Sequence, residues 1–441
     1  MKSHTFYTYS FGCRVNQAEK ETIDREMQNS GFSLKTVNPD ISIVNTCAVT
    51  HKAEREAKQL IYKLKRNNPN GQIVVTGCSA TYWKKNDLLK DLPVDQVIDN
   101  TNKEFLVKLI QNRLSSRAAY NRGGYASVGQ DPPSSRLRWA SKYLNSGRAL
   151  IKIQDGCQRY CSYCIVPFLR GTPRSEKIKN LELKIKNLRT NIKEIIFTAI
   201  NTEAFGYDTG ESMIQLIQHT IINTTIPRIS FGSIHPWSLD NKLYKIYKDY
   251  KHTGRLVNFF HVPIQSGSNK ILNFMKRGYT KEEIMLKLIE IKRLNPLALI
   301  ATDVIVGFLG ETDKDFQDTY NFLKKSPISK FHIFRFSNRD NTAAHYMAKN
   351  LKEPSVAVKM KRAKLLETLG KKKYKDFLKK NVGRNSQALF ISNREGDCQE
   401  CLIDNQLPVL VKTTKNLNGQ IKNIKILEYK KGKLFGRIVT E

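Results

Sequence analysis

The chain has 441 residues, 74 Lys plus Arg against 40 Asp plus Glu, and a formal net charge of +34. That length suggests two or three domains rather than one, and no run approaches the ~18 apolar residues of a membrane span. The charge favours a polyanionic partner, and it is dense in the last 91 residues, with 21 Lys/Arg against 9 Asp/Glu. The first residues, MKSHTFYTYSFGC, carry no apolar signal region, so the expected location is the cytoplasm.

The opening hundred residues alternate strand and helix. Strands are predicted at 5–10, 41–45, 72–76 and around Val97–Ile98, with helices at 16–29 and 53–65. This rhythm implies a parallel sheet. Cys13, Cys47 and Cys78 each follow a strand and precede a helix. Such positions share the carboxyl edge of a parallel sheet, where open α/β folds place ligands. Residues 121–135 are rich in Gly, Pro and Ser and read as a linker.

From Arg148 the alternation resumes, with strands expected at 149–153, 194–199, 228–232, 257–261, 299–306 and 330–336. Six such units imply a partial (β/α) barrel with its site at the strand carboxyl ends. A basic helix is expected at 359–380. Beyond Gly383, short strands at 388–391, 407–412, 421–427 and 434–439 predict a small all-β module.

Eight cysteines in a long chain of this kind point to metal binding or chemistry more than to disulfides. The strongest motif is Cys157-Gln-Arg-Tyr-Cys161-Ser-Tyr-Cys164, in the loop after the first barrel strand. Three thiolates on one loop can hold three irons of a cubane cluster. The fourth iron is then open to chelate S-adenosylmethionine (SAM), whose reductive cleavage yields a deoxyadenosyl radical. A zinc half-site is the plain alternative, but zinc takes four ligands, commonly as two CxxC pairs.

The run Asp155-Gly-Cys-Gln-Arg-Tyr-Cys-Ser-Tyr-Cys-Ile-Val-Pro-Phe-Leu-Arg-Gly171 resembles the signature of the radical-SAM methylthiotransferases. The resemblance extends through Gly12-Cys13-Arg-Val-Asn16-Gln17, Asn45-Thr-Cys47-Ala-Val-Thr50, Gly77-Cys78, His261-Val-Pro-Ile-Gln265-Ser-Gly267, Met275-Lys-Arg277-Gly278-Tyr279-Thr280 and Asp303-Val-Ile-Val-Gly307-Phe-Leu-Gly310-Glu311. It implies an α/β architecture of three domains and a linker: a flavodoxin-like sheet domain (1–117), the linker (118–147), a radical-SAM partial (β/α)6 barrel (148–380), and a TRAM-like small β-barrel that binds RNA (381–441). It also implies a second 4Fe–4S cluster on Cys13, Cys47 and Cys78, beside the first on Cys157, Cys161 and Cys164. Three buried small residues at strand ends are the alternative reading of the first set.

The resemblance places Asn201 near SAM. Gln265, Ser266 and Gly267 follow the fourth barrel strand and are candidates to line the cofactor site, while Asp303 either binds polar SAM groups or caps its strand. Arg170 and Arg174 flank the cluster loop, placed to tune it, to meet phosphate, or to be surface charge. The chain departs from the family pattern at Leu309, at His235-Pro and over Arg335–Thr342. Cys398 and Cys401 form a lone CxxC, read as two incidental thiols. Among the family's branches, Cys13-Arg-Val-Asn16-Gln17 resembles the one that converts N6-threonylcarbamoyladenosine at position 37 of tRNA to its 2-methylthio form, with tRNA held by its anticodon stem-loop. Other branches act on isopentenyladenosine or on a ribosomal aspartate. A radical-SAM methylase and a non-catalytic iron–sulfur RNA-binding protein are the readings outside the family.

Overall fold

The computed structural model describes residues 4–120 and 146–439; the predicted linker at 121–135 lies outside them. The chain divides into two compact units, Met1–Ser141 with Phe168–Gly171, and Lys142–Pro167 with Thr172–Glu441.

The first unit runs β1 (Thr5–Ser10), α1 (Arg14–Asn29), β2 (Ser33–Leu34), β3 (Ile41–Thr46), α2 (His51–Asn67), β4 (Gln72–Gly77), α3 (Cys78–Lys85), β5 (Gln96–Ile98) and α4 (Leu106–Tyr120). The all-parallel sheet has the order β2-β1-β3-β4-β5, which is the flavodoxin-like doubly wound order. β3 is buried along its whole length, as expected of a central strand covered on both faces. One core, with Tyr7, Tyr9, Val75 and Trp83, packs on one side; another, with Phe6, Ile23, Met27 and Ile110, packs on the other. β1, β3 and β4 are adjacent, and each leads directly into a cysteine.

The second unit begins with β6 (Arg148–Asp155), α5 (Val166–Arg170, whose end belongs to the first unit), β7 (Arg174–Ser175), α6 (Ile178–Lys186), β8 (Glu194–Ala199), α7 (Met213–Asn223), β9 (Arg228–Phe231) and α8 (Asn241–Asp249). It continues with β10 (Phe259–His261), α9 (Asn269–Phe274), α10 (Lys281–Leu294), β11 (Leu299–Val306), α11 (Asp313–Lys325), β12 (Lys330–Arg335), α12 (Ala343–Met347) and α13 (Val356–Lys379). β6, β8 and β9 pair in parallel, as do β10, β11 and β12. The two groups are joined by a parallel bridge between Ile229 and Leu256 and a 3.0 Å bond from Val257 N to Ile229 O. The six predicted strands thus form one curved wall, the partial barrel expected.

The last part is a closed five-stranded barrel of β13 (Asn385–Glu395), β14 (Cys398–Ile403), β15 (Pro408–Lys412), β16 (Ile421–Lys430) and β17 (Lys433–Ile438), in the order β13-β14-β15-β17-β16. Its core residues Ala388, Phe390, Cys401 and Ile424 merge with Val257, Phe259, Leu299 and Ala301 from the amino ends of the larger barrel's strands. Arg228, buried on Glu194, donates 2.8 Å bonds to the carbonyls of Leu402 and Ile403. The small barrel therefore covers the amino end of the large one, and the carboxyl ends are left for chemistry. No helix among the described residues is long and apolar enough to cross a membrane.

Candidate functional site

In the first unit, the three cysteines of the sheet edge converge. Cys13 is the N-cap of α1, Cys47 follows β3, and Cys78 opens α3. Burial pushes the Cys47 thiol up to about 12, and the nearby charges of Cys13 and Cys78 add to that rise. Three thiolates so close repel one another unless a cation sits among them. Gly12, at φ +81°, makes the room: a Cβ there would stand 2.4 Å from Cys47 Sγ. Gly77, at φ +93°, likewise leaves space that a Cβ would lose to Thr46 O at 2.4 Å.

The polar residues of the motifs hold these turns. Asn16 Nδ2 donates to Phe11 O at 2.9 Å and Thr46 O at 2.8 Å, tying the ends of β1 and β3. Thr46 Oγ1 donates to Thr76 O and accepts from Ala80 N, tying β3 to the start of α3. Arg170, expected beside the other cysteine set, is 3 % exposed and folds into this unit. It donates from Nε to Cys78 Sγ at 3.1 Å, from Nη1 to Glu19 Oε1 at 2.8 Å, and from Nη2 to Asn16 Oδ1 at 2.7 Å. Lys103 also pairs with Glu19 and reaches Asn45 Oδ1 at 2.8 Å.

In the second unit, Cys157, Cys161 and Cys164 lie on the loop that follows β6. Gly156 (φ +76°) starts the turn, and Tyr160 (φ +47°) holds a left-handed conformation inside it. Such conformations in non-glycine residues concentrate at functional sites. Ser162 anchors the loop to the end of α9, donating to Phe274 O and Met275 O, and to α12, accepting from Ala344 N. Burial pushes the Cys164 thiol up to about 12, and Cys161 and Cys157 push it further in the same direction. A second set of three mutually interacting thiols results, and its chemistry fits three irons of one cubane.

Arg277 reaches this set: Nη1 lies 3.2 Å from Cys161 Sγ and 3.2 Å from the Tyr163 hydroxyl. Its guanidinium stacks at 4.5 Å on Trp237, whose ring also carries Arg159 at 4.2 Å. Arg159 pairs in turn with Glu203. Arg174 is about half exposed, near Asp155.

The five residues expected near SAM occupy different settings. Asn201, after β8, is buried; its N–H donates to Gln154 Oε1 and its side chain caps Glu203 N. Gln265 (φ +71°) bridges β11, donating to Asp303 O and accepting from Ile305 N. Ser266 and Gly267 turn toward α11: Ser266 Oγ is 3.1 Å from Thr319 Oγ1, and a Cβ on Gly267 would meet Phe322 at 2.7 Å. Asp303 Oδ1 is shared by His261 Nε2 (2.9 Å) and His332 Nδ1 (3.2 Å), with Ser233 Oγ 2.8 Å from His261 Nδ1. Burial alone would raise the Asp303 carboxyl, but the two histidines hold it well below the usual carboxylate range.

Glu19, Lys103, Trp237, Arg277 and His332 were not singled out from the sequence. Arg277 stands in the Met275–Thr280 run, but nothing in that run signals contact with a cysteine 116 residues away. Cys398 and Cys401 lie three apart on β14, so they face opposite sides of the strand. Cys401 is inside the barrel core, with its thiol 3.4 Å from Val409 O.

Residues 151–323 match the Radical SAM superfamily, and residues 5–99 match the Uncharacterized protein family UPF0004. The threonylcarbamoyladenosine tRNA methylthiotransferase MtaB of Aquifex aeolicus is 34% identical, over 87% of this chain and 92% of that protein. The Bacillus subtilis protein of the same name is 29% identical, over 98% and 96%. The tRNA-2-methylthio-N(6)-dimethylallyladenosine synthase of Thermodesulfovibrio yellowstonii is 31% identical over the full length of both. Among solved structures, the radical SAM methyltransferase TsrM of Kitasatospora setae superimposes with a TM-score of 0.53 at 12% identity, covering 76% of this chain and 72% of that one; it shares the fold. The chain therefore belongs to the radical-SAM methylthiotransferase family, as a transferase that works with a 4Fe–4S cluster and S-adenosylmethionine.

Proposed function

We propose that the protein converts N6-threonylcarbamoyladenosine at position 37 of tRNA to its 2-methylthio derivative. The observation that carries the methylthio transfer is the presence of two separate cysteine triads, each with thiols close enough to raise one another. A single cluster suffices for SAM cleavage, and a second three-thiol site is what sulfur insertion adds. Bound there, the two clusters would supply the electron that cleaves SAM and the sulfur that is transferred.

The chain's own residues then have distinct tasks. Cys157, Cys161 and Cys164 hold the barrel cluster; Cys13, Cys47 and Cys78 hold the other. Asn201 and Gln265 contact SAM at the carboxyl ends of their strands, with Asp303 on the neighbouring lumen face, while Ser266 and Gly267 fix the Gln265 turn by packing on Thr319 and Phe322. The basic terminal barrel holds the anticodon stem-loop through phosphates, which positions the RNA without specifying its sequence. A shallow groove there is lined by Gln387, Lys415, Asn416, Gln420, Lys422 and Asn423. The choice of modified adenosine is supported by the Cys13-Arg-Val-Asn16-Gln17 block and by two relatives of that name.

Mass spectrometry of tRNA nucleosides from a strain lacking the gene tests this. The methylthio form of threonylcarbamoyladenosine should vanish, return with the wild-type gene, and stay absent with Cys47→Ala, whose purified protein should still cleave SAM. A response confined to the isopentenyladenosine derivative would move the protein to the branch of the Thermodesulfovibrio relative. Product formation by Cys47→Ala would overturn the two-cluster reading.

A further inference from the structure

We propose that Arg277 is a positioning residue for the barrel's cysteine site, supplying the fixed positive charge against which the cluster on Cys161 is reduced. The inference rests on the reading of Cys157, Cys161 and Cys164 as cluster ligands. Arg277 is 3 % exposed, and among the described residues no carboxylate pairs with it. Its other partners are neutral: the Tyr279 hydroxyl at 2.7 Å, the Tyr163 hydroxyl at 3.2 Å, the Pro263 carbonyl at 3.1 Å and the indole of Trp237. A buried guanidinium is costly without an opposite charge. Burial raises the Tyr163 and Tyr279 phenols and keeps them protonated, so among the described residues in reach the Cys161 sulfur at 3.2 Å is left to carry that charge when it ligates iron.

Trp237 is stacked by Arg277 and by Arg159, and Arg159 lies in the loop between Cys157 and Cys161. The indole therefore fixes the guanidinium plane and the cysteine loop against one another. An N–H donor on a ligating sulfur, and a cation beside it, both stabilise the more negative, reduced cluster. Lysine would keep the charge but lose the planar fork that serves Cys161, Tyr163 and Tyr279 together.

The test uses the full chain carrying Cys47→Ala and Cys78→Ala, reconstituted with iron and sulfide under anaerobic conditions, so that the barrel set alone can hold a cubane. This parent is compared with the same chain bearing Arg277→Gln or Arg277→Lys. Iron content, SAM affinity by equilibrium dialysis and the reduced-cluster signal are measured during a redox titration monitored by electron paramagnetic resonance. Arg277→Gln should retain iron while its reduced-to-oxidised ratio at a fixed potential falls about tenfold, ~59 mV for a one-electron couple; Arg277→Lys should recover part of that loss. If the Gln chain does not fold, full iron in the Lys chain with a lowered midpoint supports the proposal, and an unmoved midpoint overturns it. Three other results overturn it: full iron with an unmoved midpoint in Arg277→Gln, lost SAM affinity with an unmoved midpoint, or loss of iron from both variants with unchanged circular dichroism. Failure of the underlying ligand assignment is distinct, because the parent would then take up no cluster before Arg277 is touched.

Discussion

Arg170 Nε lies 3.1 Å from Cys78 Sγ, while its Nη1 holds the Glu19 carboxylate at 2.8 Å. Both charges are buried. Breaking a buried pair by removing one partner costs about 3–5 kcal/mol, because the other charge is stranded. Lys103 stays on Glu19 and places this case at the low end. Arg170→Ala should therefore destabilise the chain by about 3 kcal/mol. Adding Glu19→Ala should cost much less than a second independent loss. A double-mutant cycle in urea unfolding reads the coupling, and additive single losses would refute it.

Gly12 sets the geometry of the same triad through its missing side chain. Its φ of +81° disfavours any L-residue, and a Cβ would lie 2.4 Å from Cys47 Sγ and 2.6 Å from Cys47 Cβ. Relief would need Cys47 to shift from its place in the triad. The backbone strain alone is about 1–2 kcal/mol. Gly12→Ala should fold, yet after reconstitution its iron content should approach that of a chain lacking Cys47. Wild-type iron in this variant would show that Gly12 serves the turn and not the thiol site.

What the sequence revealed follows from what is local. The parallel strands were legible because buried strands are short apolar runs bounded by breakers, and 194–199 and 299–306 coincide with β8 and β11. The three cysteine turns were legible because strand–turn–helix order puts them on one sheet edge. β14 was missed because Cys398-Gln-Glu-Cys401 is polar at its start and reads as a CxxC. The structure turns Cys401 inward to pack with Ala388 and Phe390. Charged partners were the least legible. Arg170 is six residues from Cys164 in sequence, yet its carboxylate is Glu19, 151 residues away. His332 shows its role only because β11 and β12 place it opposite Asp303. Pairings of this kind depend on register, which no periodicity in a single strand reports.

His235 stands where the family pattern has an acidic residue. It stacks on Trp237 with ring centres 5.7 Å apart. Burial lowers it to about 3, and the Arg277 charge adds to that effect. In the unfolded chain a histidine takes up its proton near pH ~6.5. Between these values the unfolded state binds the extra proton, so this group's contribution to stability is intact above pH ~6.5 and lost as pH falls toward 3. At pH 5 the loss should reach at most about 2 kcal/mol. His235→Gln removes the titrating ring, so its urea midpoint, measured on iron-free protein, should fall less than wild type between pH 7 and pH 5. Equal falls in the two chains would assign the acid sensitivity elsewhere.

Lys415 and Lys422 are exposed on the terminal barrel and line one groove with Asn416, Asn423 and Gln387. If the groove carries RNA backbone, its contribution is the release of condensed counterions, and each phosphate neutralised adds about −0.7 to −0.9 to the slope of log affinity against log salt. Replacing both lysines by Gln should weaken tRNA binding and make that slope shallower by about 1.5. The loss should be similar for tRNAs of different sequence, since phosphate contacts position without specifying. Reconstituted variant protein should keep its iron, because both cysteine triads lie outside this barrel. Filter binding across a salt series measures the slope directly. An unchanged slope would remove the groove from the RNA path and shift attention to the exposed basic face of α13, where Lys371, Lys372 and Lys375 offer the next concentration of charge.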